Sequence, residues 1–151
     1  MTQSPMTVHH RFTDGLAEEH LTQLAALASE ITFRENEIIL VDGQRSTSFY
    51  LLTAGSVAVE LQTPHFSACI QALGPGDIFG WSALLEHQDT LFRVRAREHT
   101  RALRFSGADL QQLCKREPSL GAELLRRTLQ AVAGRVKATE IRFAEMCGVK
   151  V

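Results

Sequence analysis

The sequence predicts one α+β domain: a β-roll or jelly roll of about eight short strands, with an N-terminal helix and two C-terminal helices. Three observations carry that expectation. From Ile31 to Phe105, short apolar stretches alternate with turn residues every eight to twelve positions, the texture of a sandwich, jelly roll or small barrel. Before this region, Leu16, Leu21, Leu24, Ala25, Leu27 and Ala28 recur near the helical period. After it, Ser119 to about Cys147 runs without proline as a long helical segment.

Taken in order, Met1 to Arg11 is polar and carries the pair His9-His10, so residues 1–13 are expected as a flexible tail and 14–151 as the domain. Residues 17–29 read as a short amphipathic helix with no good capping oxygen next to Ala17, so packing must hold it. The strand region then runs through Glu37 to Val41, Phe49 to Leu52, Val57 to Leu61, Phe66 to Leu73, Leu91 to Arg97 and Thr100 to Phe105. Val57, Val59 and Leu61 alternate with Ala58, Glu60 and Gln62, which suits a strand buried on one face. Gly74-Pro75-Gly76-Asp77 is a strong turn. Ser106-Gly107-Ala108-Asp109 can cap a helix bearing Leu110 and Leu113, and Pro118 separates it from the long helix 119–147.

Composition narrows the function classes. The 151 residues are 44% hydrophobic, and a chain of this size buries roughly 68–70% of its unfolded surface. Lys and Arg total 16 against 17 Asp and Glu, a net charge of -1, which disfavours a bulk polyanion binder. Cys69, Cys114 and Cys147 stand far apart without a C-x-x-C spacing, as in a reducing cytoplasm. No apolar run approaches the ~18 residues of a membrane span, so no membrane association is expected.

The stretch richest in chemistry is Gly76-Asp77-Ile78-Phe79-Gly80-Trp81-Ser82-Ala83-Leu84-Leu85. A glycine turn leads into Phe79-Gly80 and a short helix-compatible run that can present backbone N–H groups to an anion. Together with Ile38, Asp42-Gly43, Gly55-Ser56-Val57, Leu73-Gly74-Pro75-Gly76-Asp77 and Val94-Arg95-Ala96, this string resembles the cyclic nucleotide-binding domain of catabolite-activator-type regulators and kinase regulatory subunits. The resemblance spans about residues 14 to 146. It implies a β-roll flanked by helices, with the nucleotide inside the roll and its phosphate on a short cassette.

That family's cassette follows Phe-Gly-Glu-x-Ala-Leu and then an Arg. A gapless match puts Trp81 in place of the Glu and Thr90 in place of the Arg. Indole cannot accept the ribose hydroxyl proton, and a threonine hydroxyl carries no charge for the phosphate. By alternation, Arg93 and Arg95 point outward if Thr90 points inward, so they are expected as surface residues, as is Arg45. Arg135-Val136-Lys137-Ala138-Thr139 resembles the helix segment that approaches the base in the activator proteins. The candidate ligand-binding residues are therefore Phe79, Gly80, Trp81, Ser82, Ala83, Thr90, Arg135 and Thr139.

Catalysis is not expected. His65, His87 and His99 are isolated, unlike the clustered metal ligands of cupin enzymes, and no nucleophile-elbow spacing occurs. No metal or cofactor is expected, beyond a cyclic nucleotide or another small anion as ligand. The chain ends at Val151, short of a helix-turn-helix module, so direct DNA binding is not expected. Leu125, Leu129, Val132, Val136, Thr139, Phe143 and Met146 follow heptad spacing, which predicts a homodimer through the long helix; a lid folded onto the roll is the alternative. Two functions follow. One is a cytoplasmic ligand-sensing regulatory module with weak or no binding of cyclic AMP and cyclic GMP. The other is a ligand-free structural, dimerisation or partner-binding module of the same fold.

Overall fold

In the computed structural model, which describes residues 8–86, 89 and 92–150, eight strands form two four-stranded antiparallel sheets. The elements are α1 (Glu18–Leu27), β1 (Ala28–Phe33), β2 (Ile38–Leu40), β3 (Ser48–Ala54), β4 (Val57–Gln62), β5 (Ser67–Leu73), β6 (Ile78–Phe79), β7 (Arg93–Ala96), β8 (Thr100–Ser106), α2 (Gly107–Arg116) and α3 (Pro118–Met146). One sheet has the order β1-β8-β3-β6 and the other β2-β7-β4-β5. The expected β-roll with an N-terminal helix and two C-terminal helices is the observed architecture.

Strand β3 shows why the roll has two cores. Its run Phe49-Tyr50-Leu51-Leu52 is buried throughout, as for a strand covered on both faces. Phe49 and Leu51 join Phe105, Leu110, Leu113 and Leu120 in a core shared with the helices. Tyr50 and Leu52 point the other way, into the roll, with Phe33, Val57, Phe79 and Ala102. Phe79 stacks on Tyr50 at 4.6 Å between ring centroids, which fixes β6 and the turn that follows it.

The helix expected over 17–29 stops earlier, because Ala28 and Ser29 pair with Phe105 and Arg104 of β8 and so open β1. The strand expected over Leu91 to Arg97 is observed as Arg93–Ala96, and Leu91 lies outside the described residues. At the C-terminal end, Ser106 caps α2 by accepting from the Asp109 N–H at 3.3 Å. Pro118 occupies the first turn of α3, where its missing N–H costs nothing.

Residues 8–13, expected as part of a flexible tail, pack against the roll as a strap. Val8 and Thr13 are buried, and Phe12 meets Phe49 at 5.4 Å. His10 accepts the Phe12 N–H on Nδ1 at 3.0 Å, and its Nε2 lies 2.8 Å from the Leu52 carbonyl. Arg127 of α3 donates to the carbonyls of Phe12 and Asp14, both at 2.7 Å. These contacts join distant parts of the chain, so a mostly polar segment gives little sign of them in sequence.

Candidate ligand site

The site starts at a sharp reversal after β6. Gly80 has φ 75°, and a Cβ there would meet the Ser48 carbonyl and lie 3.0 Å from the Tyr50 ring. Only glycine suits that backbone and that space. The chain then enters a 3-10 turn, Trp81–Leu84. The buried Ser82 hydroxyl accepts the Ser46 N–H at 3.0 Å. The Ala83 carbonyl accepts from Gln111 of α2 at 2.8 Å. The turn is thus held by both the β2–β3 loop and the C-terminal helices.

This turn, the inner face of the roll and α3 enclose a cavity of about 310 Å3, near the lower end of ordinary small-molecule sites. Its apolar wall includes Leu40, Val59, Ile70, Phe79, Val94 and Val132. Its polar members include Gln71, Trp81, Arg135, Thr139 and Glu140. Of the residues singled out in sequence, Phe79, Gly80, Trp81, Ser82, Arg135 and Thr139 line this one cavity. Ala83 instead sits in the core shared with the helices. Thr90 lies outside the described residues. Trp81 is half-buried, packing on that same core while bordering the cavity.

Strand alternation sorts the arginines of β7. Val59 pairs with Val94, and both line the cavity. The neighbouring pair, Glu60 and Arg93, belongs to the other face. There Glu60, with a side chain 6% exposed, takes Arg95 Nη2 at 2.9 Å and Arg93 Nε at 3.2 Å. Arg95 also donates to Asn36 at 2.8 Å. The Arg95 guanidinium foremost, with help from Arg93, holds the Glu60 carboxyl below its usual pKa against the opposing effect of burial. Neither arginine lines the cavity, and Arg45 is engaged on the Leu85 carbonyl at 2.9 Å.

Helix α3 closes the cavity and is tied to strand β5. The Arg135 carbonyl accepts from Gln71 at 3.1 Å and from Thr139 at 2.9 Å. Arg142 donates to the Cys69 carbonyl at 3.1 Å and to that of Ile70. Burial draws the Arg135 guanidinium below its ordinary pKa, and the Asp77 carboxylate partly opposes the shift. Val132, Val136 and Thr139, expected on one dimer stripe, border the cavity. Leu129, Phe143 and Met146 of that stripe are exposed. Val59 and Val94 are open to recognition through strand alternation alone; Gln71 is not, because its neighbour Ile70 lines the same cavity across an irregular stretch of the β4–β5 pairing, and Val132 and Glu140 need the placement of α3.

The arrangement suits small-molecule binding: an apolar chamber whose lining among the described residues also includes Arg135, Gln71, Trp81 and Glu140. A model of the cyclic nucleotide-binding domain matches residues 30–117, and the chain belongs to that family. It is 35% identical over 99 residues to a protein of Rhodopseudomonas palustris named as a potassium channel protein; the match covers 66% of this chain and 23% of that protein. A cyclic nucleotide-binding domain from Methylobacillus flagellatus matches with a TM-score of 0.78 at 22% identity, over 87% of this chain and 74% of that one. The catabolite activator protein of Thermus thermophilus matches with a TM-score of 0.72 at 20% identity, over 91% of this chain and 63% of that one. Family and fold are those of regulatory cyclic nucleotide-binding domains. Among the described residues, no helix is long and apolar enough to cross a membrane.

Proposed function

We propose that this chain is a non-enzymatic, cytoplasmic ligand sensor whose roll takes a small anionic molecule and binds cyclic AMP and cyclic GMP weakly or not at all. One observation carries the reading: Phe79, Gly80, Trp81, Ser82, Arg135 and Thr139 converge on a single cavity of about 310 Å3 between the cassette turn and α3. Weak binding of the two common cyclic nucleotides follows from Trp81. An indole at the position of the family's Glu loses a charge-assisted hydrogen bond to the ribose, worth ~1.5–3 kcal/mol, or at least tenfold in affinity. Thr90 in place of the family's Arg acts in the same direction. Titration calorimetry with cyclic AMP and cyclic GMP, beside thermal shift against other cyclic mono- and dinucleotides, tests the reading. Expected are dissociation constants above the micromolar range for the first two and stabilisation by another anion. A submicromolar constant for cyclic AMP overturns the weak-binding assignment.

A second reading is a dimerisation or partner-binding module. The apolar residues that α3 exposes favour it: Leu129 is 69% exposed, Phe143 67% and Met146 84%. Their heptad spacing fits pairing with the same helix of a second copy. The two readings are compatible, because the cavity and the exposed stripe share α3.

A further inference from the structure

We propose that Arg135, carried by α3, supplies the positive charge that holds the ligand's anionic group, a task the family's cassette gives to an arginine on the roll. The inference rests on the ligand-sensing reading above and names that ligand's class: a compact anion with an apolar or aromatic body.

The arginines of β7 and α3 differ in what they hold. Arg93 and Arg95 grip Glu60, and Arg142 grips the carbonyls of β5. Arg127 is divided between Glu123 and the strap carbonyls. The Arg135 side chain has neither an ion pair nor a hydrogen bond among the described residues. It is half-buried and stands in the wall between two cavities, the 310 Å3 chamber and an open groove of about 1100 Å3 on the other side of α3. Asp77 is the carboxylate that acts on it, but Asp77 already pairs with Arg11 at 2.9 Å and accepts the Gly74 N–H at 2.9 Å.

A guanidinium has five donors in a planar fork and does not lose its charge. Withdrawn from water without an acceptor, it destabilises the fold. An anion in the chamber would reverse that cost. The apolar wall of Val59, Val94 and Phe79 fits the uncharged part of such a ligand. Because the Arg135 backbone is also where Gln71 ties α3 to β5, an anion on this side chain bears directly on how the helix sits on the roll.

The test uses the full chain with Arg135→Met and Arg135→Lys. Melting temperatures are measured alone and with inorganic phosphate, cyclic AMP, cyclic GMP and cyclic dinucleotides, with adenosine as a neutral control. Ligand-free Arg135→Met is expected to melt about 2–4 °C above wild type, because an unpaired charge gives way to an apolar chain of similar length. It should bind the anion that stabilises wild type at least tenfold more weakly, with Arg135→Lys in between. A lower melting temperature for ligand-free Arg135→Met would make Arg135 a structural residue and overturn the inference. Equal anion affinity in Arg135→Met and wild type overturns it while leaving the sensor reading intact. If no anion stabilises wild type at millimolar concentration, the sensor reading fails, and the inference fails with it.

Discussion

Glu60 offers the sharpest test of how the roll is built. Replacing it with alanine removes a carboxylate whose side chain is 6% exposed and which accepts from Arg93 Nε at 3.2 Å, Arg95 Nε at 3.0 Å and Arg95 Nη2 at 2.9 Å. Breaking a buried ion pair by deleting one partner costs about 3–5 kcal/mol, because the other charge is stranded. Here the stranded side chains are 23% and 26% exposed, so both guanidiniums can turn partly toward water. Arg95 also keeps Asn36. The loss therefore falls below that range, at about 2–3 kcal/mol. For a chain of this length, each kcal/mol moves the melting temperature by roughly 2–4 °C, so Glu60→Ala should melt roughly 4–12 °C lower.

Urea unfolding provides the free energy, with an unchanged slope showing that the native state is still compact. The pH dependence supplies the sign. The folded-state pKa of Glu60 lies below its ordinary 4.5, so the folded protein binds the proton less readily than the unfolded chain. The contribution is complete above about pH 4.5 and is lost as pH falls through the folded pKa. The gap between wild type and Glu60→Ala must therefore shrink in acid. A gap below about 0.5 kcal/mol at pH 7, or one that widens on acidification, refutes the assignment of Glu60 as the anchor of both arginines.

Two further predictions concern α3 and the cassette. Phe143→Glu and Leu129→Glu each put a charge on the exposed stripe and should give a folded monomer by light scattering where wild type is a dimer; a wild type already monomeric at tens of micromolar removes the dimer proposal. Gly80→Ala combines a left-handed backbone with crowding against Ser48 and Tyr50. It should cost about 2–4 kcal/mol in denaturant unfolding, and a loss below about 0.5 kcal/mol would mean that the turn relaxes freely.

The parts of the fold that were legible in sequence are those where a local pattern reports burial directly. Strand β3 is an unbroken apolar run because both faces are covered. Strand β4, expected to be buried on one face, buries Ala58 and Glu60 as well as Val57, because Arg93 and Arg95 cover Glu60 on the second face; the alternation itself holds, with Val59 toward the chamber and Glu60 away from it. The same alternation placed Arg93 and Arg95 away from the chamber, and the structure supplies the partner, Glu60, that holds them there. Strand β6 was hidden because two residues, Ile78 and Phe79, are too few to show a period; its strand character comes from pairing with Tyr50 and Leu51. The strap at residues 8–13 was hidden for a related reason: several of its ties join a backbone carbonyl to a side chain far away in sequence, and its few apolar anchors, Val8 and Phe12, are too sparse to show a period.

The site divides along the same line. Phe79, Gly80, Trp81 and Ser82 announce themselves as one contiguous string, because a single turn positions them all. Arg135 and Thr139 entered through family resemblance, and what they face depends on the angle at which a 29-residue helix crosses the roll. No periodicity in α3 encodes that angle. It is set by Leu120 and Leu124 in the core, by the strap on Arg127 and by Gln71 and Arg142 on β5. An arginine on that helix can serve the chamber only while those ties hold, so the chemistry of this site is a property of the packing of α3 as much as of the cassette.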